Sequence, residues 1–119
     1  MKQKVHSVSY LAKAEFEFKK GVYNLVALPA GAEVVKVSLE GVGNTEGDIS
    51  MGFKDEMTED FSALESIRFS NGTVYTNTRD YTATSNKMVV AKVLSDGNTD
   101  AKCVLRVLYF LPSVIEVEY

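Results

Sequence analysis

The chain has one cysteine and one histidine among 119 residues, and these scarcities remove whole classes of chemistry. With Cys103 alone no internal disulfide forms, so the fold must be held by its core. A thiol nucleophile or metal site would need His6 or a second thiol, and His6 lies in a different strand candidate. Residues 103, 105, 107 and 109 share one face of an alternating stretch. Cys103 therefore reads as a small core hydrophobe, inert because burial raises a thiol pKa. A Ser-His-Asp triad would have to use His6 in a polar stretch, and no Gly-x-Ser-x-Gly is present. The sequence assigns no catalytic, cofactor-binding or metal-binding residue, and an enzyme is not expected.

Long apolar runs are missing too. None approaches the roughly 18 residues that cross a bilayer as a helix, and the opening MKQKVHSVSYLAKAEFEF has no apolar block leading to a small-residue cleavage site. A membrane is not an expected partner, and the chain is expected to stay where it is made or to join an assembly there. A basic excess is also absent: 13 Lys and Arg against 16 Asp and Glu leave a net charge of −3. Nucleic acid is thus not an expected partner, because electrostatics would oppose it. No segment recurs at a fixed period, which excludes a solenoid or propeller. The lack of crossover helices excludes parallel α/β architectures.

What is present is alternation. Phe16 and Phe18 alternate with Glu15, Glu17 and Lys19; Val35, Val37 and Leu39 with Lys36, Ser38 and Glu40; Ile49, Met51 and Phe53 with Asp48, Ser50 and Lys54. Period two puts one face of each strand on a core and the other on solvent. Residues 5–11 read as an edge strand after a polar arm at 1–4. The turn Leu28-Pro29-Ala30-Gly31-Ala32 suggests a hairpin between the strands around it, and Asn71-Gly72 is the strongest hairpin signal in the chain. Residues 87–94 and 101–110 look like a long central hairpin. Met88, Val90 and Leu94 oppose Val89, Ala91 and Val93, so that strand is expected to be covered on both faces. Between 54 and 69 the alternation fails: Phe61, Leu64 and Ile67 fall three apart, and Ser62-Ala63-Leu64-Glu65 has the form of a capping box. One short helical turn near residues 58–67 is expected there.

The sum is an all-β protein, an antiparallel β-sandwich or jelly-roll-like single domain over 1–119, with roughly seven to nine strands. A tail at 113–119 places Ile115, Val117 and Tyr119 on one side, and Glu116 and Glu118 on the other. These three apolar residues are the candidate partner-binding residues. The tail either returns as an edge strand or adds to a neighbouring subunit.

Other clusters have bland readings. The acidic stretch Asp55-Glu56-Met57-Thr58-Glu59-Asp60 could hold a hard cation, but clustered charge is usually a solvated loop. Asp96, Asn98 and Asp100 match the first, third and fifth places of a calcium loop, whereas Ala101 and Val107 stand where glycine and a bidentate glutamate are required. Tyr75 and Tyr81, with Asn77, Arg79 and Asp80 between them, are a candidate sugar-stacking cluster against the commoner reading as strand residues.

The ordered set 22–37 (VYNLVALPAGAEVVKV), Asp48-Ile49-Ser50-Met51-Gly52-Phe53, a variable loop, Met88-Val89-Val90-Ala91, and a closing strand from Cys103 to Phe110 resembles the small β-sandwich structural proteins of tailed bacteriophages, of the capsid decoration or cement type. The resemblance spans about residues 21–112. It implies a non-enzymatic virion protein, assembled in the bacterial cytoplasm, that binds and stabilises a capsid through the major capsid protein and self-associates into homo-oligomers. The alternatives are a carbohydrate-binding or fibre-type host-adhesion module, and a head-tail or tail structural subunit.

Overall fold

Phe16, Phe18, Leu39, Leu105 and Val107, all from alternating stretches, meet in one core, as period two requires. The computed structural model describes residues 2–6, 8–43, 45–55, 61–69, 74–77, 81–96, 101–111 and 114–118. Among them lie β1 (Lys2–His6), β2 (Ser9–Glu17), β3 (Gly21–Leu28), β4 (Glu33–Val42), β5 (Gly47–Asp55), β6 (Phe61–Phe69), β7 (Val74–Asn77), β8 (Tyr81–Thr82), β9 (Lys87–Asp96), β10 (Lys102–Phe110) and β11 (Val114–Glu118). One sheet has the order β2-β10-β4-β7, with β8 also on β4; the second has the order β3-β9-β5-β6; β1 and β11 form a separate ribbon. Every strand pair is antiparallel. The two larger sheets pack face to face as a β-sandwich.

The core lies between them. Val34, Val37, Leu39, Cys103, Leu105 and Val107 come from the first sheet, and Val26, Leu28, Ile49, Met51, Val89, Ala91 and Val93 from the second. Each fully buried Leu, Ile, Val or Met contributes about 1.5 to 3 kcal/mol relative to exposure. Cys103 is fully buried among them.

Residues 61–67 are strand, not helix: β6 pairs with β5 from Phe61 to Phe69, which corrects the expected helical turn. The register passes from Met51 opposite Glu65 to Gly52 opposite Ala63, leaving Leu64 as an extra residue. A bulge adds one residue and breaks the period. The three-residue spacing of Phe61, Leu64 and Ile67 is that phase slip. The same device corrects β4, where Val35 is the extra residue opposite Leu108 and Tyr109. Val34 rather than Val35 is therefore buried with Val37 and Leu39.

The hairpins also differ from expectation. β3 and β4 lie in different sheets, as do β6 and β7, and β9 and β10, so the connections after them are arches between sheets. At the first arch Ala32 N donates to Pro29 O at 3.1 Å, Gly31 has φ 88°, and Gly31 N and Ala83 N bond Ala83 O and Ala32 O at 2.7 and 2.9 Å. Residues 71 and 72 themselves lie outside the described residues. The strands 87–96 and 102–110 are nevertheless central, each flanked by two partners in its own sheet. On β9, Val89, Val90, Ala91 and Val93 are buried, while Lys92 and Leu94 are exposed. The double cover therefore reaches Val90 but not Leu94.

Candidate interaction surface

β2 and β10 are paired out to Ser9 opposite Phe110. The ladder goes on through Leu111 N bonding Val8 O at 2.8 Å, and beyond the break β1 and β11 run side by side from His6 opposite Val114 to Lys2 opposite Glu118. The two ends of the chain thus leave the sandwich together as one ribbon. Lys4 stands opposite Glu116 and Lys2 opposite Glu118, whereas Val5 stands opposite Ile115 and Gln3 opposite Val117. Of the predicted partner-binding residues, Ile115 and Val117 hold alternate places on this ribbon, and Tyr119 lies outside the described residues. Residues 114–118 of the tail are a strand paired with β1.

At the base of the ribbon is an apolar collar that the sequence reading missed. Tyr10 and Leu11 are 51% and 63% exposed, Tyr10 faces Tyr109 with ring centroids 6.0 Å apart, and Leu11 stands opposite Leu108. Val8 is exposed beside them. The signal was present: Tyr10 and Leu11 are apolar residues of opposite parity, so no single face can bury both.

The same end of the sandwich holds more. The start of β4 reaches Phe110 at Glu33, so the arch before it, the end of β3 and the start of β9 lie at this pole. A cavity of about 290 Å³ here is lined by Ala27, Leu28, Pro29, Asn86, Lys87 and Met88, and Asn86 Oδ1 accepts from Ala30 N at 3.0 Å. Beside it Asp55 accepts hydrogen bonds from Lys87 Nζ and from Ser85 Oγ, the latter at 2.8 Å. The hydrogen bond from Lys87, with that from Ser85, holds the Asp55 carboxyl below its ordinary range, and Asp55 in turn raises Lys87. Asp55, first of the acidic stretch, is thus engaged with a cation of its own chain; residues 56–60 lie outside the described residues. Residues 97–100 of the second acidic stretch do too. Among the described residues no three His, Cys, Asp or Glu side chains converge.

The remaining candidates take structural places. Desolvation pushes the Cys103 thiol up to about 12. His6 is on β1, opposite Val114. Tyr81 stacks flat on Phe53, centroids 4.1 Å apart, and Tyr75 packs against the core from β7. Asn77 ends β7, and residues 79 and 80 lie outside the described residues. On the outer face of the first sheet, Arg106 Nη1 pairs with Glu40 Oε1 at 2.8 Å.

The described residues thus form a two-sheet sandwich with its terminal strands paired at one pole and Val8, Tyr10 and Leu11 exposed at their base. The chain is 58% identical over its full length to a chain, itself fully covered, in the acidic stable capsid structure of Helicobacter pylori bacteriophage KHP30, with a TM-score of 0.81. A chain of the cyanophage Pam1 capsid asymmetric unit shares the fold at 21% identity and TM-score 0.58, over 87% of this chain and 85% of that one. No protein-family model and no curated protein matches. The chain belongs to the small β-sandwich structural proteins of bacteriophage virions.

Proposed function

We propose that this capsid-associated structural protein is a decoration or cement protein: one sandwich domain over 1–119 that binds the major capsid protein in many copies, stabilises the shell without catalysis, and self-associates. The full-length identity to a phage capsid chain carries this reading. The pole with the ribbon and collar supplies the contact, and Ile115, Val117 and Tyr119 belong to it. Modest contacts suffice, because avidity on a repeated lattice substitutes for one tight site. Assembly takes place in the host cytoplasm, where a lone reduced cysteine is at ease.

The test is reconstitution. Purified chain is added to capsid shells that lack it, occupancy is read by electron cryomicroscopy, and shell survival is read by heating. Ordered, repeated density and a raised disruption temperature are expected. Saturating protein that leaves the shell bare, or density confined to the tail, overturns the reading.

A further inference from the structure

Two twisted sheets present four outer edges, and proteins blunt such edges because each is a template for another strand. Three of the four are interrupted in their backbone here. β3 carries an extra residue, Leu25, between Asn24 and Val26; β6 carries Leu64; the third edge is split between β7, four residues long, and β8, two residues long. β2 is different. It spans nine residues without proline, keeps an unbroken register with β10 along its whole length, and ends the order of its sheet.

Its side chains suit one particular visitor. Lys13 and Glu15 are 53% and 62% exposed and only loosely engaged with each other, at 3.9 Å. We infer that a second copy of this chain adds to the β2 edge, antiparallel, about a two-fold axis through Ala14. That register sets Lys13 of each copy opposite Glu15 of the other, and Ala12 of each opposite Phe16 of the other. Opposite charges and a small–large pair then coincide across the seam. Moving the axis to Lys13 sets the two lysines against each other; moving it to Glu15 pairs Lys13 with Glu17 but sets the two Glu15 side by side. Ala14 is the register with opposite-charge pairs and no like-charge pair. The first sheet becomes continuous across the dimer, an isologous contact of the kind closed dimers use. This deepens the self-association proposed above and does not depend on which capsid protein is bound.

Sedimentation velocity of the free full chain over a concentration series reads the pairing with no capsid present, so its failure leaves the capsid reading standing. The wild type is expected to dimerise. Lys13→Glu and Glu15→Lys each turn two attractive cross-strand pairs into repulsive ones and should weaken dimerisation about tenfold or more. An equimolar mixture of the two variants should restore it as a heterodimer, because their charges are opposite at both positions. Circular dichroism and Tm of each variant check that the fold is kept. A wild-type chain that stays monomeric up to about 1 mM, a Lys13→Glu chain as dimeric as wild type, or a mixture no tighter than either variant alone overturns the inference.

Discussion

Gly41 and Thr45 show how little slack single positions have. A Cβ on Gly41 would stand 2.7 Å from Thr45 Oγ1 and 2.8 Å from Thr45 Cβ, and Thr45 is fully buried with its hydroxyl donating to Val42 O at 3.2 Å. The loop after β4 thus folds back on a strand that must lack a side chain there. Gly41→Ala should cost about 1–3 kcal/mol in urea unfolding, the usual range for overpacking, and an unchanged midpoint would refute the contact. Cys103 makes a chemical counterpart. Its neutral thiol is favoured in the fold up to about pH 12, so a disulfide reagent at mildly alkaline pH should label it only as the chain unfolds. Rapid labelling of native protein would show the thiol to be accessible. The linked effect on stability has a definite sign. Below the thiol's unfolded pKa both states hold the proton and nothing is lost; above it the unfolded state ionises first, and stability falls as pH rises toward the folded value.

Bulges decide which residues an element buries. Val34 is 1% exposed and Val35 38%, although both are valines in an apolar run. Val35→Asp should therefore change stability by only about 0.5 kcal/mol or less. Val34→Asp should unfold the protein, or cost at least several kcal/mol, by burying an unpaired carboxylate. Equal effects in thermal melts would mean that β4 is regular and the register wrong. The same pair of residues shows what a sequence can and cannot reveal. Phe16, Phe18, Ile49, Met51, Cys103 and Leu105 were legible as core because alternation is a local property. Val34 was not, because one inserted residue looks like noise in the period until the opposite strand is known. Arches were misread as hairpins for a related reason: Pro29, Gly31, Asn71 and Gly72 encode a reversal of direction, and nothing in a reversal says whether the next strand bonds edge to edge or crosses to the facing sheet. β11 was foreseen as a strand, but its partner β1 lies at the other end of the chain, beyond any local pattern.

At the scale of the molecule these elements gather at one pole, where the chain's two ends meet the first arch and the β5 and β9 ends. Asp55 and Lys87 stand opposite each other there on adjacent strands of the second sheet, close to the lining of the cavity. Since hydrogen bonds from Lys87 and Ser85 hold the Asp55 carboxyl low, folding favours its ionised form. The contribution is present above the ordinary carboxylate pKa and lost as pH falls through the depressed one. Asp55→Asn should thus lower Tm at neutral pH, and the difference from wild type should vanish in acid; a gap that persists or widens at low pH would assign the effect to packing. The ribbon is separable from this arrangement. A two-stranded ribbon is marginal by itself, but β2 and β10 are held without it, through their mutual pairing and through β4. Removing residues 113–119 takes away β11 and leaves β1 without its partner, yet no residue of the buried cluster is lost. The truncated chain should therefore fold with a Tm close to wild type and occupy capsid shells less fully. Failure to fold would make the ribbon part of the sandwich's own stability. Folding with unaltered occupancy would free Ile115, Val117 and Tyr119 of any part in binding and leave the collar of Val8, Tyr10 and Leu11 to carry the contact.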